Sequence, residues 1–368
     1  MGITVLYSFA GQPDGSTPYS GVTLDKKGDI FGTTFAGGQN SVGTVFELTR
    51  AGSGYSERLV HSFTGTDGSS PVANPLIASD GRIYVTSIAG GQYGAGTAIE
   101  LAPSGGQYSE MTAYSFGSGS DGASPNSGFL QVGSTLYATT ASGGKYGYGA
   151  IVAMDTTNFA ESDVYDFKDG SDGAFPLSGL IPDSSGALYG TTVGGGSAGK
   201  GTVYKFVPAK GGGAETVLWS FQGSSDGTGP NGGVVIDSSG DIYGTTPTGG
   251  NSNSGVVFEL KPGKGGYQET ILHAFAGGAD GAQPVAGLTL SGKLLYGATS
   301  SGSGSLCVGC GTLFRMKTAG TGYEVLHTFQ GAEGANPLGN LYVTGSSIYG
   351  TTSTGGANNV GVVFKFEI

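Results

Sequence analysis

Phe221-Gln-Gly-Ser-Ser-Asp226-Gly227-Thr-Gly-Pro230 begins a stretch that runs through Tyr243-Gly244-Thr245-Thr246 and Gly249-Gly250 to Gly255-Val256-Val257-Phe258. An aromatic closing one strand leads into an Asp-Gly turn, with a proline four residues after the acid. Short strand-like runs follow, broken by the glycine pair. The same order returns along the whole chain. Its phenylalanines are Phe9, Phe63, Phe116, Phe167, Phe221, Phe275 and Phe329, a mean period of about 53 residues, close to that of radially repeating β-proteins. The prolines keep step at Pro18, Pro71, Pro125, Pro176, Pro230, Pro284 and Pro337. Each follows an acid: Asp14, Asp67, Asp121, Asp172, Asp226, Asp280 or Glu333.

Each unit reads as four short strands. In the fifth, strand A is expected at about 233–236, B at 241–246, C at 255–260 and D at 269–275. Asp237-Ser-Ser-Gly240 supplies the residue types of a tight A–B turn. Four antiparallel strands repeated radially define a β-propeller blade, and the circle of blades hides most sheet edges. The chain ends complement each other. Phe364-Lys-Phe-Glu-Ile368 reads as a strand C without its D. Ile3-Thr-Val-Leu-Tyr-Ser-Phe9 reads as a strand D without its A–C, and it matches Glu215-Thr-Val-Leu-Trp-Ser-Phe221. The expectation is an all-β protein, a single seven-bladed propeller over residues 1–368, with strand 3–9 completing the last blade.

Composition excludes the other classes. Glycine fills 75 of the 368 positions, and each Gly inside a helix costs about 1 kcal/mol relative to Ala. The glycines have no G-X-Y period, so collagen is out. The 19 Tyr and 18 Phe are regularly placed and supply a core that disordered chains lack. No apolar run is long enough for a membrane-crossing helix. Sixteen basic residues stand against 27 acidic ones, a net charge of −11. With no cationic cluster to displace counterions, nucleic acid is not an expected partner. No basic segment with an apolar run opens the chain, so an exported protein would have had its signal removed.

The unit Tyr243-Gly-Thr-Thr246, Gly249-Gly250, Gly255-Val-Val-Phe258 recurs as Tyr349-Gly-Thr-Thr352, Gly355-Gly356, Gly361-Val-Val-Phe364. It resembles the bacterial choice-of-anchor tandem repeat called GloVer, over essentially the whole chain. The layout of strands A and B, with a Gly pair ending B, is also similar to kelch propellers. The resemblance implies an exported bacterial protein, extracellular or in the cell envelope. It brings no catalytic residues with it.

In a kelch-like circle the D–A and B–C loops share one face, and the seven loop acids would then form a ring there. They read either as ligands of a cation such as Ca²⁺, the one cofactor the sequence suggests, or as caps of their own turns. Strict recurrence favours caps. Function is better sought where the repeat is broken. Blades two and three place Tyr93, Lys145, Tyr146 and Tyr148 in B–C loops, and Tyr19 and Phe175 flank the prolines of D–A loops. Blade four adds Asp166 and Asp169 beside Asp172. Tyrosines set between glycines with carboxylates nearby suit a saccharide platform, so the expected function is a monomeric glycan-binding module. A polysaccharide hydrolase would need two of Asp166, Asp169 and Asp172 as its carboxylate pair. A lyase would use Tyr146 as base with Lys145 beside it. A third reading is a scaffold for a protein partner.

Other motifs carry less. His61, His273 and His327 share a strand-D slot with Tyr7, Tyr114, Tyr165 and Trp219, which reads as a place for any planar side chain. Gly194–Lys200 resembles the start of a phosphate loop, but Gly201 stands where Ser or Thr should follow. Cys307 and Cys310, the only cysteines, read as a small disulfide in a loop, which suits an oxidising compartment.

Overall fold

The computed structural model describes residues 2–52, 54–302 and 309–368. These residues form seven antiparallel sheets, with one 3-10 turn at Gly278–Asp280 and no α-helix. The sheets are propeller blades, each running from an inner strand A to an outer strand D. In the fifth blade these are Val234–Ile236, Ile242–Thr246, Val256–Gly263 and Gly266–Ala274. The C–D hairpin is longer than expected, because pairing continues to Gly263 opposite Gly266. Its tip is exposed, so hydrophobic alternation carries no signal of it. The circle closes as expected. Gly2–Ser8 pairs with Val362–Glu367, with Gly2 opposite Glu367 and Ser8 opposite Val362. The third blade adds a short strand, Gly122–Pro125, against the end of its strand B.

The core is divided among the seams between blades. Phe9, from the strand that completes blade seven, packs with Ile30, Phe46 and Leu48 of blade one and with Tyr349 and Val363. In five of the seven seams the Phe that ends a D strand meets an aromatic of the next blade's strand C; Phe63 and Phe116 pack on Ile99 and Val152 instead. The ring centroids are 5.1 Å apart for Phe9–Phe46 and Phe221–Phe258, and 5.3 Å for Phe329–Phe364. These edge-on pairs explain the phenylalanine period, since such contacts add about 0.5–1.5 kcal/mol to the area they bury.

The last three positions of the Tyr-Gly-Thr-Thr motif each have a structural reason. A Cβ on Gly244 would lie 2.5 Å from Phe258 Cζ, so the glycine makes room for the strand-C ring. The first threonine ties blade to blade. Thr33 Oγ1 donates to Ala73 O at 3.0 Å, Thr86 to Ser127 O at 2.8 Å, Thr139 to Ser178 O at 2.8 Å and Thr245 to Ala286 O at 2.9 Å. Thr351 does the same to Ser20 O, across the seam where the chain ends meet. The second threonine lies under the Asp-Gly turn: a Cβ on Gly227 would come within 2.2 Å of Thr246 Oγ1. The loop proline covers a glycine of the preceding blade, Pro284 over Gly255 and Pro18 over Gly361.

Candidate functional site

Isolated bridges join D–A loops to B–C loops, as at Ser16 with Ala36, Ala174 with Gly194 and Ala335 with Thr354. The two loop sets therefore share one face. All seven loop acids are bound into their own turns. Each accepts a backbone N–H from a residue three or four positions earlier, at 2.7–2.9 Å. That is the cap role, and the seven do not gather around one point.

The strand-D slot does more than fill space. His61, His273 and His327 bring Nε2 to Asp67, Asp280 and Glu333 at 3.0, 3.1 and 3.2 Å. Tyr114 OH donates to Asp121 Oδ2 at 3.1 Å, and Tyr165 OH donates to Asp172. The slot is thus a donor to the cap in five blades, a pairing six or seven residues apart that the repeat carries in plain view. Burial pushes Asp67 up, but His61 and the Thr64 amide and hydroxyl outweigh it and hold the carboxyl below its usual range.

The repeat-breaking aromatics fall into three places. Tyr148 and Phe175 meet where the third blade's B–C loop, which also carries Tyr146, touches the fourth blade's D–A loop. Phe175 N donates to Tyr148 O at 2.8 Å, and the two side-chain rings stand 5.7 Å apart, edge to face. Tyr146 and Phe175 are 43% and 40% exposed, and Lys145 and Lys168 place Nζ 5.4 and 5.7 Å from the Tyr146 ring centre. Tyr93 lies apart, in a shallow groove with Thr112, Tyr114 and Ser118. Tyr19 turns to the propeller axis and packs on Phe35, with centroids 5.0 Å apart.

The three aspartates beside this platform are mostly committed. Asp166 Oδ1 accepts Lys145 N at 2.8 Å, which holds the loop that carries Tyr146. Asp172 accepts Lys168 N at 2.7 Å and the Tyr165 hydroxyl. Asp169 sits in the turn between them with φ of 63°. Elsewhere, Asp121, Glu161 and Asp163 bring carboxylate oxygens within 4.8 Å of one another, the one such trio among the described residues. Oxygen donors of this kind suit a hard cation, but they are crowded acids with no further mark of a site.

An axial channel of about 830 Å³ opens where the inner strands and their loops converge. Tyr19, Phe35, Leu177 and Leu338 line it together with Asn126 and Asn231. No acidic, basic or histidine side chain lines it among the described residues. Sequence reading misses this channel, because its lining position, the residue after each loop proline, differs from blade to blade.

The Gly194–Lys200 stretch is the turn between strands Leu188–Thr192 and Thr202–Ala209, so no helix N-terminus follows it. The Cys307–Cys310 pairing lies outside the described residues through Cys307; Cys310 is buried beside Leu313 and Phe329.

Blades of four antiparallel strands, closed by a strand from the other end of the chain, define a seven-bladed β-propeller with one loop-rich face. The chain belongs to the Gloeobacter/Verrucomicrobia repeat family, which matches residues 1–132, 73–309 and 237–368. No curated protein matches it. Solved structures share the fold at low identity. An ancestral GH74 enzyme has a TM-score of 0.61 at 10% identity, covering 96% of this chain and 48% of its own. A putative 6-phosphogluconolactonase from Bacteroides uniformis has 0.58 at 15%, covering 91% and 90%. PorZ, a bacterial surface component of the type-IX secretion system of Porphyromonas gingivalis, has 0.57 at 12%, covering 98% and 48%.

Proposed function

We propose that this propeller is a glycan-binding module whose platform is Tyr146, Tyr148 and Phe175. The observation that carries the reading is the exposure of Tyr146 and Phe175 on two interlocked loops, with half-buried Tyr148 against Phe175 and with Lys145 and Lys168 beside Tyr146. Exposed side-chain rings offer their faces to the C–H face of a sugar, and the lysines offer donors to its oxygens. The backbone bond from Phe175 to Tyr148 fixes the platform before a ligand arrives, which lowers the ordering cost of binding. Binding is favoured over hydrolysis because Asp166 and Asp172 already serve the loops and the axial channel carries no acid–base pair. An extracellular or envelope setting belongs to the same proposal and rests on the resemblance to exported repeat proteins.

The test is a glycan array with the purified protein, with and without Ca²⁺, followed by titration of any ligand found. Tyr146→Ala should weaken binding by more than tenfold while leaving the melting temperature unchanged. An array hit that persists at full strength in Tyr146→Ala and Tyr148→Ala moves the site elsewhere. A blank array removes the glycan reading in favour of a protein-binding scaffold.

A further inference from the structure

The outer ends of the seams hold acids that the platform does not use. Four residues before the strand-D slot stand Glu57, Glu161, Glu215 and Glu269. Each faces the cap acid carried by the preceding blade's slot strand: Asp14, Asp121, Asp172 and Asp226 respectively. Two negative groups meeting across a buried seam demand an explanation.

The slot residue supplies a first clue. Where the second acid is present and buried, the slot is Tyr7, Tyr114, Tyr165 or Trp219, none of which carries positive charge. Where the slot is His273 or His327, the facing position is Tyr323 or Ile3 instead. Tyr323 there stacks on His273 with centroids 3.7 Å apart and donates to Asp280 O at 2.6 Å. The His61 seam keeps Glu110, which accepts from Thr112 on the exposed side of its strand. A seam thus has either a protonatable imidazole or a second buried carboxyl beside its cap.

Hydrogen bonding supplies a second clue. Asp14 Oδ1, Glu57 Oε1, Glu215 Oε1, Asp226 Oδ1 and Glu269 Oε1 are buried without a partner. An ionised carboxylate only accepts, so two of them facing each other cannot bond, whereas a protonated one donates. Unmet buried acceptors are costly. We propose that Asp172 and Glu215 share one proton and that Glu57 and Glu269 each keep a proton beside Asp14 and Asp226, so that these seams close tightest in acid and loosen when the proton leaves.

The surroundings agree. Burial, followed by the charge of the facing Asp, pushes Glu57 up to about 7 and Glu215 and Glu269 up to about 8. Tyr7 is the other titratable group at the Asp14 seam. Tyr165, Tyr204 and Lys168 face the Asp172 pair, with Tyr165 OH 3.4 Å from Glu215 Oε2. Only Lys168 opposes the shift by charge. At the Asp226 seam the neighbour is Trp219, which does not titrate. The Asp121 seam has the same pattern with Asp163 as a third acid.

The sign follows from the raised values. The stabilising contribution is full below the ordinary Glu range and is lost as pH rises toward about 7 for Glu57 and about 8 for Glu215 and Glu269. Each pair lowers the folding constant by at most about tenfold per pH unit in that window, less where water screens the pair.

The experiment is urea unfolding from pH 5 to 9 of the natural chain and of the triple variant Glu57→Gln, Glu215→Gln, Glu269→Gln. Glutamine can donate as the protonated acid does. The natural chain's midpoint should fall with rising pH. The variant's should fall less steeply, since only the Asp121 seam is left to lose its protons, and should exceed it at pH 9. Infrared spectra of the natural chain at pH 6 should show the carbonyl band of protonated carboxyl groups, weakened in each single Gln variant, a readout that survives if the triple variant folds poorly. Parallel pH profiles, or no such band, overturn the proposal. So does a midpoint at pH 9 that Ca²⁺ raises in the natural chain and not in the variant, since a cation would then hold the acids.

Discussion

Blade two carries Val85 opposite Ile99, and blade three Ala138 opposite Val152, where blade five has Gly244 opposite Phe258. A large strand-C side chain goes with glycine, and a smaller one with a larger strand-B neighbour. Gly244→Val alone should therefore overpack, because its Cβ would sit 2.5 Å from Phe258 Cζ; the cost is about 1–3 kcal/mol. Phe258→Ile alone empties part of a fully buried site and loses the edge contact to Phe221; together these cost roughly 2–3 kcal/mol. If the two were independent, the double variant would lose roughly 3–6 kcal/mol. Blade two shows that Val and Ile fit each other in this register, so the double variant should lose only about 1–2 kcal/mol, a coupling of roughly 2–4 kcal/mol. Equilibrium unfolding in denaturant of the four proteins measures the cycle. A double variant that simply adds the two single losses would refute the size-matching argument.

Three further outcomes are expected. Thr245→Val keeps the side-chain volume but leaves Ala286 O, now 2.9 Å from the hydroxyl, without its donor; denaturant unfolding should show a loss of about 1–3 kcal/mol. Asp280→Ala removes the cap of the Ala276 N–H and the partner of His273, and amide exchange should rise in the 276–281 loop while the adjacent strand stays protected. Burial holds His327 below the usual imidazole range, although Glu333 opposes the shift. The unfolded chain then takes up a proton before the folded one as pH falls through the ordinary value, so this residue costs stability in acid. His327→Tyr, the slot residue of three other blades, should gain in melting temperature over the natural chain as pH drops from 7.5 to 5, and a constant difference would count against the shift.

The fold is legible because seven imperfect copies align against one another. A position that keeps its chemistry through every unit, such as Asp226 or Pro230, declares a backbone or packing duty. The closing strand is legible for the same reason, since residues 3–9 match residues 215–221. The platform is legible in part. Tyr146, Tyr148 and Phe175 stand out as departures from the repeat; Tyr148 and Phe175 meet, and Tyr146 lies on the same loop as Tyr148, beside Lys168. Tyr19 and Tyr93 depart from it as well, but only the radial arrangement decides that one turns to the axis and the other to a separate groove. The channel depends on residues such as Leu177 and Asn231, which look like noise when units are compared. The acid pairs are hidden differently. The place of Glu269 before His273 is visible, yet nothing in one unit says that it faces the Asp226 cap of another.

The last blade's construction also sets how the molecule answers a pull. Gly2 lies opposite Glu367, and Ser347 beside it begins strand B, so both chain ends leave from the side away from the loops that carry Tyr146 and Phe175. Tension applied between those ends would not slide the first strand along its neighbour against all its hydrogen bonds at once. It would peel Gly2 from Glu367, then Ile3 from Phe366, breaking the ladder one rung at a time. A closure that resists heat through cooperation with six other seams would open under modest force, from the end, like a zip.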